Sequence, residues 1–124
     1  MKTIKLLIKG EMITLNKYIS GERASRYAAA GMKKSETERV YWECREQKLE
    51  VITTPVWVVF HWHARHKHTD PDNIAFAKKF IFDGLVQAGV LYADTQDWIK
   101  GFEDHFYVDK ANPRVEVFFK PSRP

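Results

Sequence analysis

The sequence predicts a small α+β domain, a mixed β-sheet with two main helices, and three observations predict it. Residues 56–63, VWVVFHWH, are β-branched and aromatic almost without interruption, the composition of a strand. Two further strand-like runs, TIKLLIK at 3–9 and RVEVFFK at 114–120, stand near the two ends of the chain. Between the strands lie two helix-type stretches, one charged and alanine-bearing (23–50), one with an apolar stripe (73–87). With 124 residues, 44% of them hydrophobic and 14% aromatic, the chain reads as a single domain, 1–124, with one real core.

Taken in order, the first strand covers Thr3 to Lys9 and ends at Gly10-Glu11. Ile13 to Tyr18, which holds Leu15-Asn16-Lys17-Tyr18, is expected to be extended or irregular up to Ser20-Gly21. Arg23 to Glu50 is the long amphipathic stretch. Gly31 is expected to split it, leaving a helix over Lys34–Leu49 whose many charges form a solvated outer face. Arg23, Arg26, Lys33 and Lys34 are the residues there that could meet a polyanion. Thr53-Thr54-Pro55 breaks the chain before the strand at 56–63. That strand lacks alternation at its start, which predicts a central position with both faces covered.

A helix is expected from about Asn73 to Gln87, with Asp72 as its cap, Pro71 fixing its entry and Gly89 near C′. Ile74, Ala77, Ile81 and Leu85 mark its core stripe, widened by Phe80 and Phe82. Val90–Tyr92 suggests a short edge strand. Ile99–Lys110 and Arg114–Lys120, joined by Ala111-Asn112-Pro113, suggest a hairpin of adjacent antiparallel strands.

Charge and cysteine content narrow the function classes. The formal net charge of +4, held despite 16 acidic residues, permits a nucleic-acid partner without requiring one. The single cysteine, Cys44, excludes an intramolecular disulfide and reads as a small packed residue. No apolar run approaches the ~20 residues of a membrane span, and the N-terminal apolar run is too short for a signal peptide, so a cytoplasmic protein without a membrane partner is expected.

The chemistry concentrates between His68 and Gln96. Asp70 and Asp72 flank Pro71, and a capping aspartate accounts for one of them while leaving Asp70 without a structural role. Asp94 lies in the loop after Gly89, where a solvated turn residue is the ordinary reading. Two or three carboxylates suffice for Mg²⁺, which takes oxygen ligands and keeps several waters. A metal so held could polarise a phosphodiester and activate water. Asp72, Phe76, Lys79 and Asp83, spaced by four, three and four, are expected to lie on one helix face. Lys79 and Asp83 would then form an i,i+4 surface pair, or Lys79 would stabilise charge developing on a phosphate. The basic run Arg65-His66-Lys67-His68 stands directly before these aspartates. A zinc reading of His61, His63, His66 and His68 is weaker. His61 and His63 share a strand face, but the spacing then changes parity and no cysteine joins.

The run from Lys67 to Gln96 resembles the RusA-type Holliday-junction resolvases of phages and prophages. The matching pieces are the basic run, Asp70-x-Asp72-Asn73, Lys79, Phe82-Asp83-Gly84-Leu85, Ala88-Gly89-Val90 and Asp94-x-Gln96. The resemblance implies a RusA-like α+β fold, a homodimer, and Mg²⁺-dependent (or Mn²⁺-dependent) nicking of four-way or otherwise branched DNA in recombination and repair. It implies that Asp70, Asp72 and Asp94 bind the metal and that Lys79, or its neighbour Lys78, assists catalysis. With it, Arg65, Lys67, His68 and Lys78 are the residues expected to contact DNA, and Asp83 supports Lys79. The chain departs from the family twice: the segment between Asp72 and the lysine is longer than in the best-known member, and Ala93 stands where an acidic residue is common. A non-catalytic junction-binding module of the same fold is the competing expectation.

Overall fold

Strand pairing is organised around β2 (Val56–Ala64) in the computed structural model, which describes residues 1–124. β2 pairs in parallel with β3 (Ile99–Val108) on one side and antiparallel with β4 (Arg114–Lys120) on the other. β1 (Ile4–Lys9) pairs antiparallel with β4, so the four-stranded sheet runs β1-β4-β2-β3. Four helices complete the chain: α1 (Leu15–Ala24), α2 (Arg26–Glu46), α3 (Pro71–Ala75) and α4 (Lys78–Gln87). The expected class, α+β on a mixed sheet, is the observed one. No helix is long and apolar enough to cross a membrane.

Alternation along the strands decides where the core lies. Ile4, Leu6, Ile8, Val58, Phe60, Trp62, Val115, Val117 and Phe119 point to one face and are buried against Val40 and Cys44 of α2 and Phe80, Ile81 and Leu85 of α4. Burial and the Glu43 charge push the Cys44 thiol up to about 12, so it is a packing residue and not a nucleophile. The opposite face carries Trp57, Val59, His61 and His63 of β2, Glu103, His105 and Tyr107 of β3, and Glu116 and Phe118 of β4, and no helix packs on it. The expectation that both faces of β2 are covered therefore fails. Its odd-numbered side chains are shielded by neighbouring rings, which a run of β-branched and aromatic residues cannot distinguish from burial under helices.

Four other expectations are corrected. Residues 15–24 are helical, because Thr14 accepts a hydrogen bond from the Lys17 amide (3.3 Å) and caps α1. That helix fully buries no residue, and its mostly polar sequence, LNKYISGERA, offers no apolar run to announce it. Gly31 does not split the second helix. α2 begins where the Ser25 hydroxyl accepts from the Ala28 amide (2.9 Å) and runs through Gly31 unbroken. One glycine costs a helix about 1 kcal/mol, too little to end one anchored by tertiary packing. Val90–Leu91 is not a strand. Gly89 adopts φ +74°, the Val90 amide turns back onto the Leu85 carbonyl (3.0 Å), and both side chains plug the core. Finally, β3 and β4 are not neighbours. The Asp109 amide donates to the Ala64 carbonyl at the end of β2 (2.8 Å), and the Asp109 carboxylate accepts from the Asn112 amide (3.1 Å) and from Arg114 (2.8 Å). That turn carries the chain past β2, so β4 joins the other side.

The charged stripe of α2 is also more than a solvated face. Gln47 donates to and accepts from the backbone of Leu7 (2.7 and 3.0 Å), and Glu43 accepts from the Lys9 amide (3.1 Å). Arg39 donates to the carbonyls of Lys9 and Glu11, and Glu36 accepts from the Ile13 amide (2.9 Å). Spaced by three, four and four, these side chains fall on one helix face and serve the unpaired edge of β1 and the segment after it.

Candidate functional site

The segment carrying the candidate residues leaves β2 at Ala64 and enters α3 at Pro71. Pro71 occupies the first turn, where its missing N–H is harmless. The cap position belongs to Asp70, not Asp72, and Asp70 makes no side-chain capping bond. Asp72 accepts from the Asn73 amide (3.0 Å) in the first turn. Both aspartates are exposed at the start of this helix. Asn73 of the same motif has a structural role, since its Oδ1 accepts from the Asn16 amide (3.2 Å) and fastens α1 to α3. Tyr18 completes the junction against Phe76 and Phe80, at ring-centroid distances of 5.4 and 5.8 Å.

The expected single helix from Asn73 to Gln87 is two helices. Phe76 and Ala77 form a turn closed by i→i+3 bonds from the Ala77, Lys79 and Phe80 amides, which separates α3 from α4. Asp72 lies in α3, before that turn, and Lys79 and Asp83 lie in α4, after it. Lys79 and Asp83 do pair, at 3.6 Å, and they line a depression of about 380 Å³ with Asp94, Lys33, Thr37, Val86 and Gln87. Lys79 and Asp94, 15 positions apart, are thus brought to one hollow, and the N-terminal half of α2 contributes Lys33 to it. Asp70 and Asp72 do not line it. Asp70, Asp72 and Asp94 also do not form a group whose ligand oxygens lie within 4.8 Å, so the expected three-carboxylate cluster is not assembled in the single chain.

The two adjacent lysines have different settings. Lys78 turns inward, only 17% exposed, to an ion pair with Asp104 of β3, and its ammonium lies 4.2 Å from the Phe102 ring centroid. Asp104 also accepts from Trp62 Nε1 (2.8 Å). Lys78, expected to contact DNA, is thus engaged within the fold by Asp104 and Phe102. Lys79 is 60% exposed and held only by Asp83.

Of the basic run, Arg65 pairs with Glu11 (3.1 Å), Lys67 is exposed without an ion pair, and the His68 amide donates to His66 Nδ1 (3.2 Å). His66 and Thr69 form one wall of a cleft of about 700 Å³, with Lys17 of α1 and Tyr27 and Ser35 of α2 on the other side. Residue types alone do not announce this cleft, since its α1 wall lies in the segment expected to be irregular.

A different constellation is compact enough for a metal. His61, His63 and Glu116, all half-buried on the open sheet face, each offer one ligand atom within 4.8 Å of the others. The shared face of His61 and His63 was legible from their i,i+2 spacing. Glu116 was not, because the β2–β4 register that sets it opposite His61 depends on the strand order.

The chain matches no protein-family model. No curated protein is significantly similar to it.

Proposed function

We propose that this chain is a Mg²⁺-dependent, structure-specific DNA endonuclease of the RusA type that nicks four-way junctions. The observation that carries the reading is the meeting of Lys79, Asp83 and Asp94 in one depression, in the order the resemblance implies. The exposed Asp70-Pro71-Asp72 turn at the head of α3 supports it. Asp70 and Asp72 offer a hard-oxygen donor set that fits Mg²⁺, which commonly takes one or two carboxylates and fills its remaining positions with water and phosphate oxygens. When bound, Mg²⁺ polarises the scissile phosphate and makes a coordinated water acidic.

The chain's own residues divide the remaining work. Asp70 and Asp72, at the head of α3 and outside that depression, would hold the ion. Lys79, with Lys33 beside it, places positive charge where the phosphate becomes more negative. Asp83 orients Lys79, and Asp94 adds a carboxylate to the same depression. Lys67, Arg65 and His68 contact the sugar–phosphate backbone, which fixes position without reading sequence. A homodimer with two-fold symmetry would present two such sites to the paired strands of a junction.

A second reading has its own support. Because the three aspartates are not gathered, a junction-binding module without cleavage activity fits the single chain equally well in geometry. Incubation with a synthetic four-way junction in Mg²⁺ or Mn²⁺ separates the two. The nuclease reading expects paired nicks, lost in Asp70→Asn and Asp72→Asn chains that still bind the junction. Binding without nicking in either ion overturns it in favour of the module.

A further inference from the structure

We infer that His61, His63 and Glu116 form a binding site for one transition-metal ion of the Zn²⁺ class, separate from the aspartate site. The three residues come from two adjacent strands. His61 and His63 alternate onto the open face of β2, and Glu116 of β4 stands directly across from His61. Their ligand atoms lie within 4.8 Å of one another, close enough for small rotamer changes to bring them to the ~2.1 Å ligand distances of Zn²⁺. Two imidazoles and one carboxylate suit a borderline ion and suit Mg²⁺ poorly, since Mg²⁺ takes oxygen ligands.

Two observations separate this cluster from an ordinary cross-strand ion pair. The first is the state of His61. A pair needs only His63 and Glu116, which meet at 2.8 Å between Nε2 and Oε1. His61 is a third donor at the same point, half-buried, and it makes no hydrogen bond of its own. The second is how the carboxylate is held. Lys5 binds Glu116 through Oε2 (3.1 Å), leaving Oε1 turned to the histidines. In metal sites, hydrogen bonds of this kind to the non-ligating atom fix the orientation of the ligand. Arg114 lies 3.9 Å from Oε1 and offsets part of the affinity. Three protein ligands leave a coordination position open toward solvent, because no helix covers this face.

The test is calorimetric titration of the full chain with Zn²⁺ alone, in the parent and in an Asp70→Asn/Asp72→Asn background. The expected result is one Zn²⁺ per chain in that background, weakened at least about tenfold by His61→Phe and by Glu116→Gln. Far-UV circular dichroism checks that each variant is folded. Co²⁺ added to the unmutated chain gives a readout independent of substitution: the intense visible bands of a four-coordinate site are expected. Absence of those bands, or Zn²⁺ affinity unchanged in both His61→Phe and Glu116→Gln, overturns the site. So does Zn²⁺ binding that disappears with Asp70 and Asp72, which would assign the ion to the aspartates.

Discussion

Gly84 of α4 lies so close to Val40 of α2 that a Cβ at position 84 would stand 2.6 Å from the valine Cβ and Cγ1, and 3.0 Å from the Thr37 carbonyl oxygen. The glycine of the Phe82-Asp83-Gly84-Leu85 motif is therefore explained by helix packing. Its effect reaches the candidate site, since this crossing sets Lys33 and Thr37 of α2 beside Lys79 and Asp83 of α4. Gly84→Ala must push the helices apart. The expected loss is about 1–3 kcal/mol in urea unfolding, the usual range for overpacking. Gly31→Ala is the internal control: a Cβ there meets nothing within 4 Å in an unbroken helix, so it should stabilise by about 0.4–1 kcal/mol. Equal effects of the two substitutions would show that the α2–α4 crossing is looser than this.

The adjacent lysines should separate stability from activity. Lys78→Met leaves the half-buried Asp104 carboxylate with only Trp62 Nε1 as a partner and removes a cation from the face of Phe102. A cost of about 1–3 kcal/mol is expected for such an orphaned group. Lys79→Met breaks an exposed pair and should change stability by less than about 0.5 kcal/mol. On the proposed function, Lys79→Met lowers the single-turnover nicking rate on a junction while leaving the urea midpoint in place. Lys78→Met shifts the midpoint first. The reverse pattern would transfer the catalytic role to Lys78.

Protection of the β1 edge by α2 side chains makes a residue-specific prediction. Gln47 occupies both the N–H and the C=O of Leu7, and Glu43 takes the Lys9 amide, so the edge is closed as another strand would close it. Gln47→Leu keeps the helix and removes both bonds. Amide hydrogen exchange at Leu7 should quicken, whereas Leu6 and Ile8, within the strand, should follow global unfolding as before. The loss in stability should be about 1 kcal/mol. Unchanged exchange at Leu7 would mean that solvent already reaches the edge.

What was legible followed from local rules. The β2 strand, the Gly89 stop and the Pro71 entry are dictated by side-chain shape and backbone freedom within a few residues, and the structure has all three. The class of fold followed from the order of such elements. What was not legible depends on partners distant in sequence. Alternation in RVEVFFK shows that Val115, Val117 and Phe119 share a face, yet not that β4 lies between β1 and β2. Without that order, Glu116 could not be matched with His61. Periodicity likewise placed Lys79 and Asp83 together, because they lie within one helix. Asp72 lies across the turn at Phe76-Ala77, in a separate helix, which periodicity within one helix does not reach. Asp94 met Lys79 through tertiary packing, which only the resemblance anticipated.

The open sheet face should also give the protein an acid-sensitive stability with two limbs. Burial, then the nearby charge of His105, lowers the His61 pKa below its ordinary 6.5. The unfolded chain therefore takes up a proton there first as pH falls. The contribution is complete above about 6.5 and is lost as pH drops toward the folded value. Burial alone would raise the Glu116 carboxyl. Hydrogen bonds from Lys5 and His63, with the charges of Lys5 and Arg114, outweigh it and hold that carboxyl below its ordinary 4.5. Its contribution is complete above about 4.5 and is lost as pH falls through the lowered folded value. Tm measured with EDTA present, so that no metal ion occupies the histidines, should fall in two stages from neutral pH downward. His61→Phe should flatten the upper limb, and Glu116→Gln should reduce the slope of the lower one. A His61→Phe chain that loses stability between about pH 7 and 5 as steeply as the parent would place that acid sensitivity elsewhere in the fold.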